Sequence, residues 1–148
     1  MRIVLDSSVV IELERKNHEA IELIKNFFKN DEEVLISTVA MSEVLVGPYF
    51  SSDFKDAMME IKQIISQFSS VDLDAEIAGK IAQYWAYLIS EDVPVQFQDV
   101  AIAATFTTTK SDFLITQNKK HFEILPEIGS KAFTVSEFKK FYEARSAE

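Results

Sequence analysis

Three carboxylates border or interrupt apolar runs. Asp6 directly ends the run Arg2-Ile3-Val4-Leu5. Glu43 interrupts Val39-Ala40-Met41-Ser42-Glu43-Val44-Leu45-Val46, a segment apolar on nearly every side of a helix. Asp99 precedes Val100-Ala101-Ile102-Ala103-Ala104 and is the only charge between Asp92 and Lys110. Taken alone, Asp6 fits a turn or cap, and Asp99 fits the favourable end of a helix dipole. Glu43 is harder to explain. A buried carboxylate costs several kcal/mol unless it is paired or holds a metal, and no Lys or Arg lies between Asn30 and Phe54 to pair with it locally. Three such acids brought to one place would suit a hard divalent cation, which takes oxygen ligands.

A second stretch, Thr116-Gln117-Asn118-Lys119-Lys120-His121-Phe122, follows another apolar run. Thr116 and Asn118 belong to the same edge as the acids, where residues of this type also make ordinary turns. Lys119 and Lys120, with Lys110 as a possible third member, form the one small basic cluster expected near that edge, placed to meet a phosphate backbone. His121 stands alone in sequence and reads as a packed or exposed histidine rather than a ligand. Asp112 begins its strand and belongs to the far side. Glu12 and Glu14 read as solvent-facing.

The elements that must position these groups follow from hydrophobic periodicity. Strands are expected at Arg2–Leu5, Glu33–Ile36, near Val71–Leu73, at Phe113–Ile115 and at Ala132–Phe133. Val9–Leu13 suits either a strand or a short helix. Helices are expected after Asn17, with Ala20, Ile24, Phe27 and Phe28 on one face, and over Val39–Val46, capped by Ser37 or Thr38. Further helical spacing runs through Phe54, Ala57, Met58, Ile61, Ile64, Ile65 and Phe68. The next helix, capped by Asp74, places Ala78, Ile81, Ala82, Trp85, Leu88 and Ile89 together. A helix over Phe97–Thr108 follows Pro94, and Thr134-Val135-Ser136-Glu137 has capping-box spacing for a last one. Strands alternating with helices predict an α/β sandwich with a mostly parallel sheet, whose ligands sit beyond the carboxyl ends of the strands.

Composition narrows the class. The 148 residues fit one domain, residues 1–148, and 47% hydrophobic content supplies a core without staples. With no cysteine there is no disulfide, thiolate zinc site or cysteine nucleophile. The early Asp6 cuts the first apolar run too short for a signal peptide, and no stretch approaches a membrane span, so a cytoplasmic protein is expected. Fifteen Lys+Arg against 24 Asp+Glu give a net charge of -9, which runs against the basic footprint of most nucleic-acid binders. Bound divalent cations would offset that acidity locally.

Read together, Ile3-Val4-Leu5-Asp6-Ser7-Ser8, Ser37-Thr38-Val39-Ala40-Met41-Ser42-Glu43-Val44-Leu45-Val46-Gly47, Gln98-Asp99-Val100-Ala101-Ile102-Ala103-Ala104 and Leu114-Ile115-Thr116-Gln117-Asn118 with Phe122 resemble the successive blocks of a PIN domain, and most of all the VapC-type toxins of toxin–antitoxin pairs. The resemblance implies a three-layer α/β/α sandwich with a five-stranded parallel sheet of order 3-2-1-4-5, and a Mg²⁺- or Mn²⁺-dependent endoribonuclease. It implies Asp6, Glu43 and Asp99 as metal-holding catalytic acids, with Ser7, Thr116 and Asn118 orienting the ligands or substrate. It further implies a homodimer and a cognate antitoxin over the active groove. The sequence departs from the family at Asn118, near where a further acid often stands, and at His121, a position frequently acidic. That departure keeps open an alternative: a catalytically weak PIN-like module that binds an antitoxin or RNA. An aspartyl-phosphate enzyme would need an acid at Ser8, and a dinucleotide site would need glycines that Leu5–Val9 lacks.

Overall fold

Five short runs become strands of one sheet in the computed structural model, which describes residues 1–148. They are β1 (Arg2–Leu5), β2 (Glu33–Ser37), β3 (Ser69–Val71), β4 (Phe113–Ile115) and β5 (Ala132–Phe133), in the order β3-β2-β1-β4-β5, every pair parallel. Parallel neighbours require crossovers, supplied by α1 (Ser7–Glu14), α2 (His18–Lys29), α3 (Thr38–Val46), α4 (Phe54–Ile65), α5 (Ala75–Ser90), α6 (Phe97–Thr108), the short α7 (Lys120–Glu123) and α8 (Val135–Ser146). The helices cover both faces of the sheet, completing the three-layer α/β/α architecture expected from the sequence. Central β1 and β4 are buried on both faces and read as continuous apolar runs for that reason.

The order places a topological switch between β1 and β4. The chain leaves β1 toward β2 and β3, then returns through α5 and α6 to the other side of β1. A crevice opens at the carboxyl ends of strands where such a reversal occurs. Because α6 feeds the amino end of β4, its own first turn must lie at the carboxyl edge, carrying Asp99 there.

Side-chain caps fix several helix starts. Asn17 Oδ1 accepts from Ala20 N at 3.0 Å and Asp74 Oδ1 from Ile77 N at 2.9 Å. Ser37 Oγ accepts from Val39 N at 3.1 Å, so Ser37 rather than Thr38 caps α3. Thr134 and Glu137 form the complete capping box of α8. Each such cap is worth about 1 kcal/mol. Phe113, Phe133, Phe138 and Phe141 pack ring to ring at 5.1–5.6 Å, tying β4 and β5 to α8. Contacts of this kind add about 0.5–1.5 kcal/mol per pair beyond area burial.

Residues 9–13, left open between strand and helix by the sequence, are helical, within α1. The structure corrects other expectations. Strand β3 is Ser69–Val71, two residues earlier than expected, because an edge strand is defined by its bonds to β2 rather than by apolar content. The buried stripe of α5 is Ile77, Ile81, Tyr84 and Leu88; Ala78, Ala82, Trp85 and Ile89 face outward. Phe28 and Phe54 are likewise exposed, and Phe68, though buried, lies past the end of α4.

Candidate active site

Asp6 is only 2% exposed. Its backbone N–H donates to Ile115 carbonyl at 3.0 Å, which carries the β1–β4 ladder to the sheet's edge. Its side chain caps α1, with Oδ1 accepting from Ser7 N at 2.9 Å and more weakly from Ser7 Oγ at 3.4 Å. Oδ2 accepts from Ser8 Oγ at 2.8 Å and from Thr116 Oγ1 at 2.7 Å. Every partner is a neutral donor. The carboxylate is held firmly in place while its charge is left uncancelled.

These hydroxyls also organise the loop after β4. Ser8 Oγ accepts from Gln117 N and Thr116 Oγ1 accepts from Asn118 N, both at 2.9 Å. The fully buried Thr116 therefore joins β1 to the β4 loop through one side chain. Ser8 is a site residue that sequence reading missed. The signal available was its place two residues after Asp6, in the first turn of the helix that Asp6 caps.

Glu43 is half-buried in α3, and its Oε1 is buried with no hydrogen-bond partner. Burial first, and then the charge of Asp6, pushes its carboxyl above the usual value; Ser7 opposes this in part, and Asp99 adds to it. Asp99, 15% exposed, is raised by burial and next by Asp6, with His121 opposing. The three acids thus share one electrostatic field, each unfavourable to the next. No set of three His, Asp or Glu side chains stands as a ready-made metal cage. A cation would have to draw these groups inward. The donor set fits one nonetheless: an orphaned buried carboxylate oxygen, beside two further acids without a Lys or Arg partner, is relieved by positive charge.

His121 is exposed, one of the two states expected of it, but it also meets one of the acids. Its Nδ1 lies 2.9 Å from Asp99 Oδ2, with the ring 53% exposed. The 22-residue separation of the two hides the contact from sequence. His121 divides two open clefts. One, of about 340 Å³, is lined by Pro94, Val95, Gln96 and Asp99; the other, of about 450 Å³, is lined by residues including Gln117, Asn118, Lys119, Lys120 and Thr134. Asn118 is exposed at the second cleft.

The basic cluster divides on inspection. Lys119 Nζ pairs with Glu137 at 3.3 Å and Glu123 at 3.7 Å. Lys120 is exposed. Lys110, just before β4, belongs to the opposite edge with Asp112, whose Oδ2 accepts from Arg2 N at 2.7 Å. Asp112 is on the far side, as expected.

Fold and site define an α/β domain that gathers acids at a sheet switch point. Residues 3–128 match the PIN domain family, and the chain belongs to it. In structure it resembles a chain of the VapBC2 assembly from Rickettsia felis bound to a promoter DNA fragment (TM-score 0.81, 16% identity, covering 90% of this chain and 98% of that one). It also resembles one of DNA-bound VapBC from Salmonella typhimurium (0.79, 21%, 91% and 98%) and one of FitAcB from Neisseria gonorrhoeae (0.73, 19%, 90% and 98%). At these identities the likeness establishes the fold. Comparison with curated proteins returns no match.

Proposed function

We propose that this PIN domain is a metal-dependent endoribonuclease, the toxin of a VapBC-type pair, with Asp6, Glu43 and Asp99 holding Mg²⁺ or Mn²⁺. One observation carries the reading: Glu43 presents a buried, unpartnered carboxylate oxygen within the field of two other acids. Natural proteins rarely leave such a group uncompensated. The chemistry a divalent ion supplies in such a site is a more acidic water and charge withdrawal from phosphoryl oxygens.

The protein's own residues supply position. Ser7, Ser8 and Thr116 hold Asp6 in a single orientation, so little rearrangement is needed there. Asn118 and Lys120 border the cleft along which a phosphate backbone would lie. In-line hydrolysis leaves a 5′-phosphate and a 3′-hydroxyl.

The partner reading has separate support. Val46, Tyr49, Phe50 and Phe54 form an exposed apolar patch in which Tyr49 and Phe50 are 70% and 86% exposed. Trp85, Ile89 and Phe97 form another, with Ile89 70% exposed. Patches of this kind mark association surfaces. They support assembly with a second copy and with an antitoxin, whose basic segment would complement a chain of net charge -9. No helix is long and apolar enough to cross a membrane, and the proposed RNA substrate places the work in the cytoplasm.

The test is incubation of purified protein with total RNA and Mg²⁺ or Mn²⁺, with EDTA as control, mapping new 5′ ends. Asp99→Asn is expected to abolish cleavage while leaving the circular dichroism spectrum intact; undiminished activity refutes the site. The second reading, a binding module that cleaves poorly, draws on Asn118 in place of a further acid and on the lack of a preformed cage. It predicts RNA or antitoxin binding with no metal-dependent cleavage at any metal concentration.

A further inference from the structure

We infer that His121 is itself a metal ligand, sharing the cation with Asp99 and turning the site away from Mg²⁺ toward Mn²⁺ and later first-row ions; this rests on the nuclease reading above.

The first argument is geometric. Two neighbouring ligands of an octahedral ion with bonds of about 2.1 Å lie about 3.0 Å apart, the edge of the octahedron. His121 Nδ1 and Asp99 Oδ2 are 2.9 Å apart. A cation placed between them needs no separation of the two groups, only replacement of whatever proton they share.

The second argument is positional. His121 sits in α7, whose next residue, Phe122, is fully buried in the core. The turn is closed by His121 N–H donating to Asn118 carbonyl and Phe122 N–H donating to Lys119 carbonyl, both at 3.0 Å. Phe122 therefore anchors the histidine beside Asp99, while the imidazole itself is 53% exposed and free of any other side-chain partner. A histidine serving only packing would be turned inward, and here Phe122 has that place.

The third argument is chemical. Mg²⁺ is a hard ion that takes oxygen donors and dehydrates reluctantly. An imidazole nitrogen adds little to Mg²⁺ affinity, and progressively more along the series from Mn²⁺ through Co²⁺ to Ni²⁺. A neutral imidazole also brings no negative charge to the site, which further disfavours the hard ion. His121 would do for later metals what an acid does for Mg²⁺.

The experiment needs no RNA and no turnover. Mn²⁺ is bound to the purified protein at about pH 8, and its electron spin-echo envelope is recorded for the ¹⁴N modulation of a coordinated imidazole. The chain has two histidines, His18 and His121, so one variant assigns the signal. The expected result is imidazole modulation that disappears in His121→Ala, with Mn²⁺ affinity reduced about 10–100-fold and Mg²⁺ affinity by less than about 3-fold. His121→Asp is expected to lose the modulation and to raise the Mg²⁺/Mn²⁺ affinity ratio above that of the wild type. Because His121 is exposed, both variants should fold; a near-native thermal transition checks this. Bound Mn²⁺ without imidazole modulation overturns the ligand assignment and leaves the carboxylate site standing. No Mn²⁺ binding at millimolar concentration overturns both.

Discussion

Substituting Glu43→Gln asks directly whether this carboxylate is an uncompensated charge. Glu43 Oε1 is buried without a partner, and the group feels Asp6 and Asp99 as repulsive neighbours. An unsatisfied buried polar atom costs about 1–3 kcal/mol, and a charged one more. Glutamine keeps the volume, removes the charge and retains a poorly satisfied amide, so a net gain of about 1 kcal/mol is expected. In a domain of this size that raises Tm by about 2–4 °C. A cation reverses the order. Metal at 100 times its Kd adds about 2.7 kcal/mol to the wild type through linkage, whereas the glutamine variant has lost a ligand and gains less. Scanning calorimetry in EDTA and then in saturating Mn²⁺ should show the variant above wild type in the first and below it in the second. If Glu43 were paired with a distant cation, its loss would destabilise by about 3–5 kcal/mol in EDTA. A lower metal-free Tm, or equal Mn²⁺ shifts for both proteins, refutes the reasoning.

The same pair of proteins carries a pH prediction. Glu43 and Asp99 have raised folded values, so the native state binds more protons than the unfolded chain between the ordinary carboxylate range, about 4, and those raised values. The penalty is full above that window and relieved as pH falls through it. Measured in EDTA, the Tm advantage of Glu43→Gln over wild type should shrink on acidification; an advantage that grows speaks against a raised Glu43. Thr116→Val removes a donor to Asp6 and an acceptor for Asn118 N–H, and should lower stability by about 1–3 kcal/mol and reduce cleavage. Thr116→Ser should restore both, as read by denaturant melts and RNA assays. Lys120→Ala should weaken binding of a non-cleavable RNA and reduce the salt slope by about 0.7, while Lys119→Ala, whose ammonium already serves Glu137 and Glu123, should change the slope less. Equal slopes in filter binding would remove Lys120 from the interface.

How far the chain discloses its fold depends on where each element lies. β1, β4 and α6 are bounded by charge or polar turns, and their apolar content is continuous, so their limits can be read directly. β5 is two residues long and is legible mainly through the Thr134–Glu137 box that follows it. The face of α5 cannot be read that way. It carries apolar residues on two adjacent stripes, and periodicity does not say which one meets the domain's core. The stripe through Trp85 and Ile89 faces outward because Ile77, Ile81, Tyr84 and Leu88 fill the interior. At the site, Glu43 stands out because it breaks an apolar helix, and Asp6 and Asp99 because each borders an apolar run. Ser8 and His121 do not. Their importance lies in contacts to Asp6 and Asp99, and a contact across the fold leaves no trace in local pattern.

The acidity of the chain fits its proposed chemistry once its cations are located. Arg2 pairs with Glu33, Lys80 with Glu127, Lys139 with Glu22 and Lys119 with Glu137. Most of these pairs are exposed and contribute little stability, and the remaining basic groups are outnumbered on a chain of net charge -9. Broad electrostatic capture of RNA by such a surface is unfavourable. On the proposed reading, attraction must be local: positive charge drawn in by three carboxylates at the switch point, with Lys120 beside the cleft. The same three acids make the groove a favourable seat for a basic peptide, so a cationic antitoxin segment would compete with metal and substrate for one set of oxygens. Inhibition and catalysis would then draw on the same uncancelled charge, and a variant that removes it, Glu43→Gln among them, would weaken both together.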